Sequence, residues 1–167
     1  MKKIIALFTV ALTLTATAQN LIQNAAFESG DIKPWQVQGK LPTEAVVELG
    51  VLHLVISESS DTPSHRMIVQ KNLVMESSTK YTLRFEAKTD ASNGGDMKVT
   101  VVPSVNFKAG HYGLMRNETI TPEWETHEFE FRTKDIPADD PACMKIHLGM
   151  LNGDTYFRNF VLEKKSK

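Results

Sequence analysis

Apolar and polar side chains alternate strictly along residues 81–88, and this period of two constrains the fold more than any other feature of the chain. The apolar set is Tyr81, Leu83, Phe85 and Ala87. Because successive side chains of a β-strand point to opposite faces, the pattern predicts a strand with one face in a core and the other in solvent. The same alternation recurs at residues 52–56, 99–101, 129–131 and 146–150.

Turn-forming clusters separate these runs, and helical spacing is not sustained anywhere beyond residue 18. The clusters are rich in Gly, Pro, Asn, Asp and Ser, which favour turns for distinct conformational reasons. They fall at residues 61–63, 76–79, 92–96, 121–123, 137–141 and 152–154. About eight short strands without helices predict an all-β fold, an antiparallel β-sandwich of the jelly-roll type.

Residues 1–18 have the composition of a secretory signal peptide. Lys2 and Lys3 precede the apolar run 4–14, and Ala16-Thr17-Ala18 supplies the small residues of a cleavage site. The apolar run is too short for a permanent membrane span, which takes about 20 apolar residues, and no other segment approaches that length. We therefore predict a secreted or periplasmic protein without a membrane span. No cysteine near the cut offers a site for a lipid anchor.

The remaining chain suits a single domain at residues 19–163, followed by a polar, solvated tail at residues 164–167. Lys2 and Lys3 belong to the leader, so 17 of the 19 basic residues stand against 20 acidic ones after cleavage. An acidic chain of this kind does not favour nucleic acid as a partner. Cys143 is the single cysteine, which excludes an intramolecular disulfide and predicts a buried thiol.

Four segments carry motifs that occur in a fixed order. The first comprises Leu21-Ile22, Asn24, Phe27-Glu28, Gly30 and Trp35, and the others lie at residues 70–88, 121–131 and 146–162. Together they resemble the jelly-roll group of carbohydrate-binding modules that includes families four, nine, sixteen and twenty-two, with a galactose-binding-like fold. The resemblance implies a secreted, non-catalytic module that binds an oligosaccharide or polysaccharide in a shallow cleft. A separate glycoside hydrolase or a surface assembly would be a further partner.

Sugar recognition requires aromatic rings that stack on pyranose rings and polar groups that bond hydroxyls. The irregular segment 103–116 is a candidate, because binding residues gather in loops carried by a rigid sandwich. The resemblance implies that an aromatic residue and an arginine of this segment reach the cleft. We accordingly assign stacking to Phe107 or Tyr112 and hydroxyl bonding to Arg116.

Polar residues that alternate with core residues are a second set of candidates. We expect them to line one concave sheet, and they are Gln70, Arg84, Glu86 and His147. An ordinary solvated sheet face is the alternative for each of them. The remaining large aromatics are assigned to the core, because aromatics at strand period usually pack between sheets. These are Tyr81, Phe85, Trp124, Phe129, Phe131 and Phe157.

The resemblance also implies a structural calcium ion near the joined chain ends, with Glu28 and Asn159 as ligands. Calcium takes six to eight oxygens, usually with more than one carboxylate. Arg158 stands where the group usually has an acid. The alternative is therefore that Arg158 supplies the positive charge and pairs with Glu28 or a neighbouring acid.

No catalytic motif is present in the sequence: zinc-ligand spacing, a phosphate-binding loop and a serine elbow are all missing. We therefore predict no enzyme activity. The alternative to sugar binding is a structural or protein-interaction β-sandwich of a cell-surface or extracellular assembly. Fold alone does not separate these functions, because one sandwich supports many kinds of site.

Overall fold

The computed structural model describes residues 19–106 and 110–165. Within these ranges it has ten strands and a short 3-10 turn at Pro63–His65. The strands are β1 (Gln36–Gly39), β2 (Glu44–Glu48), β3 (Val51–Val55), β4 (Arg66–Leu73), β5 (Lys80–Thr89), β6 (Gly95–Pro103), β7 (Met115–Ile120), β8 (Glu125–Arg132), β9 (Ala142–His147) and β10 (Thr155–Lys164). Helices long and apolar enough to cross a membrane are not found in the described part of the chain.

The strands form two five-stranded sheets, which confirms the predicted all-β antiparallel sandwich. Sheet A has the order β1-β4-β9-β6-β7, and sheet B has the order β2-β3-β10-β5-β8. Every pairing between the described strands is antiparallel. Neighbours such as β4 and β9 are far apart in sequence, so most connections cross from one sheet to the other.

The core lies between the sheets and contains the apolar residues that the alternation singled out. Phe85 is at its centre, with ring centroids 5.1 Å from Phe160, 6.0 Å from Phe157 and 6.1 Å from Phe129. The core assignments of Tyr81, Phe85, Phe129, Phe131 and Phe157 are confirmed. The run at 146–150 is shorter than predicted, because β9 ends at His147 and Met150 is exposed.

The first motif segment closes one end of the sandwich. The N–H of Leu21 donates to the Leu162 carbonyl at 2.8 Å, and the N–H of Phe160 donates to the Ala25 carbonyl at 2.9 Å. Phe27 and Trp35 are buried, and the Trp35 ring centroid lies 4.5 Å from that of Phe160. The conspicuous aromatics of this segment therefore attach it to β10 and are not available to a ligand.

The C-terminal end of the described chain forms ion pairs. Lys164 belongs to β10, and its ammonium pairs with the Glu76 carboxylate at 2.7 Å. Lys165 forms an ion pair with Glu130. Both lysines are exposed, as a solvated tail requires, and these pairs hold them beside sheet B. Residues 166 and 167 lie outside the described residues.

Candidate functional site

The structure separates the polar candidates onto different surfaces. Arg84 and Glu86 lie on β5 of sheet B, whereas Gln70 and His147 lie on β4 and β9 of sheet A. The prediction that these four residues line one concave sheet was therefore wrong. The alternating pattern shows which side chains of a strand face away from the core. It does not show which of the two sheets contains that strand.

Two of the predicted contact residues are buried. Gln70 is 1 % exposed and bonds the backbone of Gln23, donating to its carbonyl at 2.9 Å and accepting from its N–H at 2.8 Å. Tyr112 is 4 % exposed, and its hydroxyl donates to the Asp140 carbonyl at 3.1 Å. Neither side chain presents a surface to a sugar. The assignments of Gln70 to hydroxyl bonding and of Tyr112 to stacking were therefore wrong.

The other candidates of the segment 103–116 have different positions. Phe107 lies outside the described residues, so its assignment stays a prediction. Arg116 is exposed on the edge strand β7 and pairs in register with Val99, whose side chain is in the core. Its guanidinium donates to the Met115 carbonyl at 3.4 Å. Arg116 therefore points to the open edge of the sandwich and not onto the outer surface of sheet A.

The side of sheet A that faces away from the core carries both polar and apolar side chains. The strand register places the following side chains there: Gln36, Gln38, Met67, Val69, Lys71, Asp96, Lys98, Thr100, Val102, Met115, Asn117, Thr119, Cys143, Lys145 and His147. We call this set the outer face of sheet A. It belongs to the same sheet in which the segment 103–116 joins β6 to β7.

Short side chains form a floor at the centre of this face. Val69, Thr100 and Cys143 point outward, yet they are only 0 %, 2 % and 0 % exposed. Lys145 lies between Val69 and Thr100 in register and is longer than either. Longer neighbouring side chains therefore cover these three residues, and a ligand laid across the strands would contact those neighbours.

His147 supplies the central hydrogen-bonding group of the face. Its Nε2 lies 3.2 Å from the hydroxyl oxygen of Thr100, and its register partners are Met67 on one side and Lys98 on the other. Burial, reinforced by Lys98 and Lys145, lowers the pKa of His147 to about 4. The imidazole is therefore neutral at pH 7. A neutral imidazole has one donor and one acceptor nitrogen, as hydroxyl recognition requires.

Cys143 belongs to the floor and not to a catalytic group. Burial raises the pKa of its thiol to about 11, although Lys145 and Lys71 act in the opposite direction. The thiol therefore stays protonated at neutral pH, and a thiolate nucleophile is disfavoured. The prediction of a buried thiol is confirmed.

Sheet B carries a ladder of rings and cations on its outer side. The Arg158 guanidinium carbon lies 4.1 Å from the Trp124 ring centroid, and the Lys88 ammonium lies 4.7 Å from that of Tyr156. The His53 ring stacks on Tyr156 at 4.5 Å. The core assignment of Trp124 was wrong, because the residue precedes β8 and packs on this outer surface. Each of the three half-buried rings, His53, Trp124 and Tyr156, therefore already has a cation or a second ring against it.

A pocket of about 410 Å³ lies beside this ladder, with Arg84, Glu86 and Asn159 in its lining. The Glu86 carboxylate accepts from Arg158 Nε at 2.7 Å and from Asn159 Nδ2 at 2.8 Å. Hydrogen bonding from Asn159, followed by the bond and charge of Arg158, lowers the pKa of Glu86 against the effect of burial. The carboxylate is thus an anion already engaged by the protein, which leaves Arg84 as the more accessible polar group.

Glu28 and Asn159, the calcium ligands implied by the motifs, have different surroundings. Asn159 donates to Glu86, Arg158 pairs with Glu86, and Glu28 is exposed. Clusters of three acid, histidine or cysteine side chains suited to a metal are not found among the described residues. The calcium site implied by the motifs stays a hypothesis, and the contacts of Arg158 favour its alternative. Arg158 instead pairs with a neighbouring acid, as the alternative expected.

We expect a chelator to leave the melting temperature unchanged, because Arg158 replaces the second acid and leaves Glu28 as the single carboxylate of the implied ligand set. Differential scanning calorimetry in calcium and in excess EDTA tests this expectation. Removal of an ion bound only by the folded state would lower the melting temperature by about 5 °C or more. A fall of that size, restored by calcium but not by magnesium, would contradict it.

Comparison with known proteins adds a family and a set of structural neighbours. Residues 19–155 match the family described as a carbohydrate binding domain. No curated protein sequence matches the chain. A solved structure of CBM4 has a TM-score of 0.73 and 18% identity, covering 86% of this chain and 99% of its own. The second N-terminal cellulose-binding domain of Cellulomonas fimi β-1,4-glucanase C has a TM-score of 0.73 and 18% identity, covering 92% and 99%.

A third neighbour was solved with a ligand. TmCBM61 in complex with β-1,4-galactotriose has a TM-score of 0.59 and 17% identity, covering 89% of this chain and 100% of its own. At these identities the structural neighbours establish the shared fold alone.

Proposed function

The chain belongs to the carbohydrate binding domain family, and on that basis we propose that it binds an oligosaccharide or polysaccharide segment on the outer face of sheet A. Membership of the family confirms the resemblance carried by the four motif segments. The observation that carries the choice of face is the group of polar side chains around His147 that stands over the buried Val69, Thr100 and Cys143. A sugar chain laid across the strands would contact these side chains.

The hydrogen-bonding groups on this face suit a polyhydroxylated ligand. The neutral imidazole of His147 has one donor and one acceptor nitrogen, and the buried hydroxyl of Thr100 lies 3.2 Å from its Nε2. Lys98 adds ammonium donors beside it. The side chain of Met67 provides apolar surface next to His147. Phe107, which lies outside the described residues, stays our candidate for a stacking ring, because its segment joins β6 to β7 of the same sheet.

We further propose that the protein binds its ligand without catalysis. Glycoside hydrolysis ordinarily uses two carboxylates that face each other across the scissile bond. Among the outward side chains of the described sheet A strands, Asp96 is the single acid. The face thus has recognition groups but not a pair of carboxylates.

Export of the chain is a separate proposal, based on the signal-like composition of residues 1–18, which lie outside the described residues. An exported module of this family would meet its polysaccharide outside the cytoplasm. A separate glycoside hydrolase or a surface assembly is the partner class that we propose there. Secretion assays of the full chain with and without residues 1–18 test the export step.

Truncating the central pair of the face is expected to weaken glycan binding. His147→Ala combined with Met67→Ala should lower the affinity at least about tenfold, because truncation of central contacts dominates the loss at binding surfaces. Affinity gel electrophoresis over a panel of soluble polysaccharides, followed by titration calorimetry on the best ligand, measures the effect.

The matched control removes side chains from the pocket on sheet B. Arg84→Ala with Thr126→Ala changes that pocket and leaves sheet A intact, so we expect unchanged binding. Loss of binding in this control, with binding retained in the His147 and Met67 variant, would move the site to sheet B. A native chain that binds no polysaccharide in the panel would refute the proposed function itself.

A further inference from the structure

Three lysines cross the outer face of sheet A along a diagonal. Lys98 on β6 pairs with His147, and Lys145 on β9 pairs with Thr100 one row further along. Lys71 on β4 follows Gln70, which pairs with Met144, and lies at a register irregularity between Gln70 and Leu73. Lys98 and Lys145 are thus diagonal neighbours on adjacent strands, and Lys71 lies on the next strand, where its charge affects Cys143. Diagonal neighbours in an antiparallel pair are about 7–8 Å apart, within reach of long side chains.

The charges of these lysines shift the pKa values of His147 and Cys143, which lie near them. Lys98 and Lys145 both help to lower the pKa of His147, and Lys145 and Lys71 both act against burial at Cys143. The charge of each lysine therefore reaches a residue on the outer face of sheet A.

The positive charge of these three lysines contrasts with the charge of the rest of the molecule. The chain has 20 acidic residues and a formal net charge of −1. On the outward side of the described sheet A strands, however, Asp96 is the single acid, and it lies at the end of β6 away from Lys145 and Lys71. Sheet B, by comparison, has acids and bases interspersed, including the Glu86–Arg158 pair at 2.7 Å. The excess of positive charge is therefore local to the proposed binding face.

We propose that the outer face of sheet A selects an anionic polysaccharide, in which carboxylate or sulfate groups recur along the chain and contact Lys71, Lys98 and Lys145. This inference rests on the proposed function, since it names the ligand class of that face. Lysine suits the task because its ammonium is a compact charge on a flexible stem, which adapts to anions at differing spacings. His147 then bonds the sugar hydroxyls between the anionic groups.

The experiment compares three soluble probes by titration calorimetry: polygalacturonate for carboxylate, carrageenan for sulfate, and a neutral β-glucan. We expect at least one anionic probe to bind more tightly than the neutral one. Lys98→Gln and Lys71→Gln should each weaken that binding about tenfold, as charge-assisted contacts require. Lys98→Arg should retain most of the affinity. Raising the salt concentration from about 50 to 200 mM should weaken binding by screening exposed charges.

The matched control is Lys80→Gln, which removes one exposed lysine at the start of β5. Lys80 lies beside Arg132 and Lys165, so it tests whether a second basic surface on sheet B binds the anion. We expect unchanged binding in this variant, and thermal melting verifies that every variant is folded. Anion binding lost in Lys80→Gln but kept in Lys98→Gln would overturn the inference.

The remaining outcomes separate the inference from the function on which it rests. Tight binding of the neutral β-glucan, unchanged in Lys71→Gln and Lys98→Gln, would overturn anionic selection and leave the proposed function standing. Failure of all three probes and of a wider neutral panel would refute both.

Discussion

Replacing Arg66 with alanine is expected to lower the free energy of unfolding by about 3 kcal/mol, as is typical when a buried charged hydrogen-bonding group is removed. The side chain is 0 % exposed at the start of β4. Its Nη2 donates to the Glu58 carbonyl at 2.7 Å, and its Nε donates to the Thr43 hydroxyl at 2.8 Å. Nη1 lies 3.4 Å from the Leu148 carbonyl. Truncation would remove the donor to the Glu58 carbonyl and to the Thr43 hydroxyl and open a cavity, whereas the Leu148 carbonyl still accepts from the N–H of Leu151.

The expected destabilisation is large because the guanidinium connects three loops. Thr43 precedes β2, Glu58 lies after β3, and Leu148 follows β9, so one side chain connects three loops of the two sheets. Burial lowers the pKa of Arg66, with Glu58 acting in the opposite direction, which shows that the cation is desolvated. The planar fork of arginine reaches all three acceptors, whereas a lysine ammonium has one point of charge. Arg66→Lys is therefore expected to recover only part of the loss.

Urea denaturation followed by circular dichroism measures these changes, with Arg84→Ala as the matched control. Arg84 is exposed on the outer side of β5, and substitutions at such positions usually change stability by less than about 0.5 kcal/mol. Equal destabilisation of the Arg66 and Arg84 variants would contradict the account. Full recovery of stability by Arg66→Lys would also contradict it, because a positive charge without the planar guanidinium would then be enough to stabilise the fold.

The strands were predictable because burial leaves a period of two in the sequence. Leu83 and Phe85 are fully buried, as their positions in the alternating run require. Pairing was not predictable, because a strand's pattern does not show its neighbours. Arg84 and His147 have the same polar-face signature, yet their strands belong to opposite sheets. The binding face could therefore be predicted one residue at a time but not as a surface.

Polar residues in the interior explain the other errors. Gln70 faces inward because the N-terminal segment supplies the backbone of Gln23 as its partner, and a polar group is buried at little cost when it is bonded. Tyr112 is buried because its hydroxyl finds the Asp140 carbonyl. Both partners are distant in sequence. By contrast, the lysine diagonal follows directly from register, and it could be found only once β4, β9 and β6 were known to be adjacent.

Acidification is expected to remove up to about 3 kcal/mol of stability through His147 alone, since one pKa unit corresponds to about 1.4 kcal/mol. Burial lowers the pKa of His147 from 6.5 to about 4 in the folded protein. Between these values the unfolded chain binds a proton that the folded protein does not bind. Stability therefore rises with pH across this window, falls as the pH drops below 6.5, and loses the whole contribution near pH 4.

The variant His147→Gln isolates this contribution from other groups that act in the same direction. His111 and His127 also have pKa values lowered by burial, so the wild-type curve alone would combine all three effects. Urea unfolding of both proteins at pH 8 gives the packing cost of the substitution. At pH 4.5 the wild type should lose about 2 kcal/mol more than the variant, because only the wild type must keep a neutral imidazole between Lys98 and Lys145. Parallel curves from pH 8 to pH 4.5 would show that His147 takes up a proton without cost, and the face would then be open enough to solvate an imidazolium.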